Sequence, residues 1–311
     1  GIYISANLGS YINISDAIIE DNIAAGGYGN GGGVYIFDGN SYFTNVRISG
    51  NEAQGTVMGS GGGLIINNAN LLCTNVTITG NSADTFGGGI YSKDGSSLTM
   101  VNSILWNNSQ QEICFEGSND PSTVTIDYTD IQGGQDSIAT NDNGTVFWGA
   151  GNIDADPLFC EPDSGNYHLA GNSPSAGAGE DGADMGALGV GCDDIWLPPT
   201  IATMADTSMD EDSELMLQLS AESEQGYDIY FEAESDTSSV YVYTEDDMLH
   251  INLETDWNGS SQITVMAYSE SDDESNDTAS FTLTVNPVDD LPFVDGHILP
   301  RNYPEDFGVD T

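Results

Sequence analysis

Gly61-Gly62-Gly63-Leu64-Ile65-Ile66, followed by Thr74-Asn75-Val76-Thr77-Ile78-Thr79-Gly80-Asn81, is one unit of a pattern that returns on both sides. Upstream stand Gly31-Gly32-Gly33-Val34-Tyr35-Ile36 and Thr44-Asn45-Val46-Arg47-Ile48-Ser49-Gly50-Asn51. Downstream stand Gly87-Gly88-Gly89-Ile90-Tyr91 and Val101-Asn102-Ser103-Ile104-Leu105-Trp106-Asn107-Asn108. The frame reaches back to Asp16-Ala17-Ile18-Ile19 with Asn22 and, more weakly, on to Tyr128-Thr129-Asp130-Ile131 with Gly134. Residues 22, 51, 81, 108 and 134 close the units, at spacings of 29, 30, 27 and 26. A repeat of about 20–50 residues means a solenoid, propeller or array.

The local pattern selects among these. Val46 and Ile48, Val76 and Ile78, and Ser103 and Leu105 alternate with Thr, Asn and Arg. Such alternation argues for short strands, and no segment carries the i, i+3, i+4 stripe of a helix. Strands of about three to five residues, returning through Gly/Asn/Ser turns, describe a parallel β-helix with coils ~4.8 Å apart. Asp16, Asn45, Asn75 and Asn102 then fall one above another, and the register predicts an inward side-chain ladder along the axis. The glycines serve corners that need positive φ.

Residues 1–192 resemble the right-handed parallel β-helix of the pectate-lyase-like superfamily, in the form found in large secreted bacterial proteins. The most specific part is the tail, Asn152-Ile153-Asp154-Ala155-Asp156-Pro157-Leu158-Phe159, Tyr167-His168-Leu169, Ser173-Pro174 and Asp184-Met185-Gly186-Ala187-Leu188-Gly189, which looks like the closing segment of such helices.

Three basic residues (Arg47, Lys93, Arg301) face 50 acids, for a net charge of −47; 29 of the acids fall in residues 193–311. Such a chain is repelled by nucleic acid and by anionic membrane surfaces. Its 38% hydrophobic content and strand pattern oppose disorder. A folded chain this acidic suits salty or calcium-containing water, where screening relieves self-repulsion. No secretory signal or long apolar run is visible, and the chain reads as an internal segment of a longer protein. Cys160 and Cys192 bracket the closing segment and are expected to form a disulfide, which implies an oxidising compartment. Cys73 and Cys114 read as buried single thiols, and no CxxC spacing suggests zinc. The three histidines (His168, His250, His297) stand isolated.

At Leu197-Pro198-Pro199 the character changes, and 193–199 reads as a linker. Alternating strands follow at Leu215–Leu219, Ser239–Tyr243, Leu249–Leu253, Gln262–Tyr268 and Ser280–Val285. That spacing predicts an antiparallel β-sandwich over 200–290. Asp210-Glu211-Asp212-Ser213, Asp256-Trp257-Asn258-Gly259 and Val285-Asn286-Pro287-Val288-Asp289-Asp290-Leu291-Pro292 resemble the cadherin-like and Ig-like tandem repeats of bacterial surface proteins. On the same likeness Tyr303-Pro304-Glu305-Asp306-Phe307 opens a further repeat over 291–311. The resemblance implies calcium at the domain junction, on Glu211, Asp212, Asp289 and Asp290. Glu222-Ser223-Glu224-Gln225-Gly226-Tyr227 departs from the family's Asp-x-Asp-Gly-Asp stretch, so a solvated acidic surface stays open as the other reading.

Lyases of the β-helix superfamily combine calcium-binding carboxylates with an Arg or Lys; here Arg47 and Lys93 lie about a coil and a half apart with no recurring acid cluster. Glycosidases need converging carboxylates; Asp127 and Asp130 sit on one coil and Asp154 and Asp156 on a closing turn, where Asp156-Pro157 reads as turn chemistry. The expectation is an all-β, non-enzymatic, secreted cell-surface segment. It gives length, stiffness and a surface for self-association into filaments or a surface layer, or for a carbohydrate or cell-surface ligand. The alternative is a carbohydrate-active β-helix, lyase or glycosidase, with accessory sandwich domains.

Overall fold

In the computed structural model the residues described are 1–5, 10–117, 120–223, 225–269 and 272–288. They fall into two compact units that divide between Ile195 and Trp196. The expected repeat over 291–311, and the expected ligands Asp289 and Asp290, lie outside the described residues.

The first unit is a β-solenoid of about five turns. One parallel sheet stacks Ile2–Ser5, Val34–Phe37, Leu64–Asn67, Ile90–Lys93, Ile113–Phe115 and Ile138–Ala139, with Val34, Leu64, Ile90 and Ile113 in one register. A second is built on Tyr11–Glu20, Asn40–Ser49 and Asn70–Thr79 and runs on through Ser97–Val101, Ser122–Asp127 and Gly144–Trp148. A third pairs Ile23–Asn30, Glu52–Ser60 and Ser82–Ala83. The inward rows, such as Phe43, Cys73, Met100 and Ile126, are fully buried. Cys73 is therefore a core residue, and Cys114 is likewise a buried free thiol.

The glycine triplets stack backbone on backbone. Gly31, Gly32 and Gly33 donate to Ser60 O, Gly61 O and Gly62 O at 3.0 Å. A Cβ on Gly32 would lie 2.4 Å from Gly62 O, so close approach excludes any side chain there. Positive φ is confined to the first glycine of each triplet, 67° at Gly31 and 66° at Gly61.

The first three strands of the second sheet run ten residues each, longer than the pattern predicts. They are long because each bends without ending, at Asp16 (φ 51°), Asn45 (54°) and Asn75 (52°); Asn102 (49°) and Tyr128 (47°) continue the corner. Asn and Asp tolerate this left-handed conformation better than other side-chain-bearing residues. These residues do stack, since Asn45 Nδ2 donates to Asp16 Oδ1 at 2.9 Å and Asn75 Nδ2 to Asn45 Oδ1 at 3.3 Å. Both bonds are exposed, however, and Asn102 Oδ1 accepts from Glu180 N instead. The inward placement is thereby corrected.

The inward amide column lies six residues further on, at half-buried Asn22 and buried Asn51, Asn81 and Asn108. Asn51 Oδ1 accepts both N (3.0 Å) and Nδ2 (2.9 Å) of Asn22. Asn81 Oδ1 accepts the same pair from Asn51 at 2.9 and 3.0 Å, and Asn108 Oδ1 from Asn81 at 3.0 and 2.8 Å. Glu112 ends the column, its two oxygens taking N (3.1 Å) and Nδ2 (2.6 Å) of Asn108. All dipoles point one way, and the acceptor at the end is a carboxylate, which strengthens the chain of bonds. Burial pushes the Glu112 carboxyl up to about 7 against the pull of those bonds.

The second unit carries a four-stranded sheet of Thr207–Asp210, Asp272–Asn286, Gly259–Ser269 and Ile229–Ser235, and a three-stranded sheet of Leu215–Gln218, Met248–Leu253 and Val240–Glu245. Thr207–Asp210 runs parallel to Leu283–Asn286; the other pairs in these two sheets are antiparallel. The alternate residues Ile263, Val265, Ala267, Leu283, Leu249 and Ile251 are fully buried in one apolar cluster. The expected linker is taken up by both units. Ile195 exchanges two hydrogen bonds with Asn172, whereas the Trp196 ring packs edge-on to Tyr227 and Leu197 N donates to Gln225 Oε1.

Candidate functional site

Beyond Trp148 the chain leaves the coil and folds back on the second sheet. Phe159–Glu161, Asn166–Ala170 and Val190–Cys192 form a small sheet, and Cys160 and Cys192 are joined by a disulfide with Cα atoms 6.0 Å apart. Closing the intervening loop restricts the unfolded chain by about 3–4 kcal/mol in the loop-entropy picture. The returning strap, residues 172–189, covers the outward row Arg47, Thr77, Ile104. Met185 is fully buried in a cluster with Ile104. Ala187 N donates to Thr77 Oγ1 (2.9 Å) and Gly186 N to Asn102 O (2.7 Å). Gly186 sits at φ 85°, and a Cβ there would lie 2.7 Å from Thr77 Oγ1.

Arg47, the residue a lyase reading would use as base or charge stabiliser, is 6% exposed beneath this fold-back. Its guanidinium bonds Glu20 and Gly165 O and lies 5.0 Å from the Tyr167 ring centroid. It pins the closing hairpin to the solenoid. Lys93 Nζ is held between Asp94 (3.4 Å) and Glu116 (3.6 Å). Beside the strap an open cleft of about 500 Å³ is lined by Asp16, Ile18, Asn45, Asn75 and the edge of Arg47, itself 6% exposed, on the sheet, and by Ala183, Asp184, Gly186, Ala187, Leu188 and Gly189 opposite.

The carboxylates that a glycosidase reading would pair are engaged as hydrogen-bond acceptors. Asp127 Oδ1 takes Ala150 N, Asp154 Oδ1 takes Gly133 N and Asp156 Oδ1 takes Leu158 N. Asp130 is fully buried, accepting from Ala155 N and, at 2.6 Å, from Ser175 Oγ of the strap. Burial pushes its carboxyl up to about 7. Ser175 is the contact that ties the strap to the coil at this point, and sequence reading missed it. Asp130 stands in register with Ile104, in the same outward row as Arg47 and Thr77, and nothing local marks that row as covered. His168 Nδ1 lies 3.0 Å from Gly189 O, and His250 stacks on Tyr243 with centroids 4.6 Å apart.

The second sheet also presents an outer face that the strap leaves open. In register across six strands its middle row is Asn13, Tyr42, Leu72, Thr99, Thr125 and Phe147. One flanking row is Tyr11, Asn40, Asn70, Ser97, Thr123 and Thr145. The other is Ser15, Thr44, Thr74, Val101 and Asp127, so the single charged group of the three rows stands at a margin. Tyr11 (69%), Phe147 (56%) and Tyr42 (37%) are exposed, and the Tyr11 and Tyr42 rings lie 6.2 Å apart.

In the second unit Glu211 is buried, with Oε1 accepting from Val288 N (2.7 Å) and Oε2 from Asn258 Nδ2 (3.1 Å). Its own N–H donates to Asn286 O, so the chain just before Asp289 is fastened to this carboxylate. Asp212 is exposed, at φ 62°. Among the described residues no three His, Cys, Asp or Glu side chains gather as a metal-holding group. Glu211 nonetheless fits a hard cation in its chemistry: it is a buried carboxylate whose two partners here are neutral N–H groups.

The sequence matches no protein-family profile and no curated protein. Among solved structures the chain is similar to Drosophila N-cadherin EC1-4 at 12% identity, covering 32% of this chain and 26% of that one, with a TM-score of 0.25. The titin M3 domain aligns at 12% identity over 29% of this chain and 98% of that one, TM-score 0.22. An endo-fucoidan hydrolase from glycoside hydrolase family 107 aligns at 14% identity over 32% and 16%, TM-score 0.24. The chain thus spans about a quarter of the cadherin chain and a sixth of the hydrolase chain. Likenesses this slight carry no argument for either role.

Proposed function

We propose that the chain is a non-enzymatic, extracellular structural and adhesive segment of a modular surface protein. On this reading the solenoid is a right-handed pectate-lyase-like β-helix, and the second unit is an Ig/cadherin-like sandwich that repeats in tandem. Self-association into filaments or a surface layer belongs to the same reading. So does calcium on Glu211, Asp212, Asp289 and Asp290, where it would offset the mutual repulsion of junction carboxylates. The disulfide between Cys160 and Cys192 supports a secreted location.

The observation that carries the reading is the placement of Arg47. A lyase needs its cationic side chain open to substrate beside a metal-bound uronic acid. This one is buried under the closing hairpin and engaged by Glu20, Gly165 O and Tyr167. The test is incubation of the chain with pectin, alginate and other uronic-acid polymers plus calcium, following unsaturated products and reducing ends. No product is expected. Product that disappears in Arg47→Ala, with the fold intact, overturns the reading in favour of a carbohydrate-active enzyme.

A further inference from the structure

Across the three outer rows of the second sheet, hydroxyl, amide and aromatic side chains succeed one another with a single carboxylate at the margin, in a chain with 50 acids. We propose that this face binds an uncharged polysaccharide laid across the coils, an inference that rests on the adhesive reading and names its ligand. Three properties of the face select that ligand.

The first is charge. A basic peptide finds no row of carboxylates here, and an anionic polymer approaches a molecule of net charge −47. A second copy of the chain would bring its own net charge of −47 to three rows that hold no cation, so self-association belongs to other surfaces and this face suits a neutral partner. The second is hydrogen-bonding character. Asn13, Asn40, Ser97, Thr99 and Thr125 each offer donors and acceptors, as sugar hydroxyls do. The third is shape. Tyr42, Leu72 and Thr99 border a shallow depression of about 130 Å³, too small and open to enclose a free small molecule. The strands succeed one another at about 4.8 Å across six coils, which gives the face the length of an extended polymer. The exposed rings of Tyr11, Tyr42 and Phe147 supply flat faces against which the C–H face of a pyranose stacks.

The experiment is native affinity electrophoresis of the whole chain through gels containing soluble xylan, glucomannan or mixed-linkage β-glucan, with alginate as the acidic comparison. Retardation by at least one neutral glycan, insensitive to added salt, is the expected result. Tyr42→Ala and Thr99→Asp should each weaken it about tenfold or more, since truncating an aromatic anchor or placing a charge in an uncharged interface costs at least that. Thermal unfolding of both variants confirms that the solenoid persists, and Phe147→Ala serves where either fails to fold. Retardation by none of the neutral glycans, retention by alginate alone, or equal retention of wild type and folded variants overturns the proposal. Shortening of a retained glycan would overturn the non-enzymatic reading instead, while loss of retention in the variants would still uphold the face.

Discussion

Replacing Asn81 with Ala should be among the most damaging single changes available in the solenoid, and replacing Asn75 with Gly among the mildest. Both asparagines recur in the same frame, six residues apart, yet their surroundings differ. Asn81 is 1% exposed and its Nδ2 donates to Ile48 O (2.9 Å), Thr79 O (3.1 Å) and Asn108 Oδ1 (2.8 Å). Its Oδ1 accepts from Asn51 N, a buried amide whose acceptor this is. Truncation leaves that N–H and the Ile48 carbonyl short of partners inside the coil. An orphaned buried polar group costs roughly 1–3 kcal/mol, so two of them plus a small void give a loss of about 3–4 kcal/mol. Asn75 by contrast makes one long, exposed bond to Asn45 at 3.3 Å, and its φ of 52° is one glycine adopts freely. Asn75→Gly should fall within about 1 kcal/mol of wild type, because the half-buried side chain gives up one long hydrogen bond and an Oδ1 that has no partner. Urea unfolding of the solenoid, followed by far-ultraviolet circular dichroism, separates the two. Equal midpoints, or a larger shift for Asn75→Gly, would refute the inward assignment of Asn22, Asn51, Asn81 and Asn108.

Non-reducing peptide mapping should recover one cross-linked pair joining Cys160 and Cys192, and Cys160→Ser should cost about 3–4 kcal/mol; free thiols at both positions in protein purified without reductant would contradict the closed hairpin. Glu112 and Asp130 have folded-state values raised by burial to about 7, so the folded state holds more protons than the unfolded one between roughly pH 4 and 7. Their contributions, about 3 kcal/mol for Glu112 and about 4 kcal/mol for Asp130, are fully present below pH ~4 and lost as pH rises through 7; Glu112→Gln should flatten that part of the stability profile, and an unaltered profile would count against its burial. Gly186→Ala should loosen the strap by about 1–3 kcal/mol and speed proteolysis within 172–189, and resistance equal to wild type would deny the close contact with Thr77. Millimolar calcium should raise the unfolding temperature of the second unit's transition beyond magnesium or sodium at matched ionic strength; an equal rise with sodium leaves its acids as a merely screened surface.

The coil period was legible because backbone stacking at Gly32 and Gly62 tolerates no Cβ, which writes the repeat as a triplet. The inward alternation of Val46 with Ile48 and Val76 with Ile78 was legible for the same local reason. The ladder's register was harder. Asn45 and Asn51, Asn75 and Asn81, and Asn102 and Asn108 share one period, so periodicity cannot say which set faces inward. The discriminating signal was Asp16. A carboxylate opening the first set suits an exposed left-handed corner, whereas Asn22 opens the second without charge. The fold-back of Ser175 and Met185 onto Asp130 and Ile104 was not legible, because contacts 45 and 81 residues apart leave no local pattern. In the second unit Ile229–Ser235 went unread, since Glu232 and Glu234 on its outer side masked the inward Ile229, Phe231 and Ala233. Thr207–Asp210 pairs parallel with the strand ending at Asn286, a partnership that hairpin logic cannot supply.

Of three cationic side chains in 311 residues, the two in the solenoid are informative. Arg47 fastens the closing hairpin and Lys93 holds together two acids at an outer edge, so both cations within the solenoid are tied to carboxylates there. Acids inside the fold are handled by another route. Glu112 terminates an amide column and Asp130 receives the strap's hydroxyl, each raised by burial toward its neutral form. At these positions of the solenoid charge is thus either paired or weakened where the chain packs, whereas Glu211 of the second unit is buried against neutral N–H groups. A broad face that is neither packed nor acidic then calls for a separate reason, because solubility in so acidic a chain favours carboxylates at every open position. Recognition of a neutral, hydroxyl-rich polymer supplies that reason, and it does so without a catalytic group.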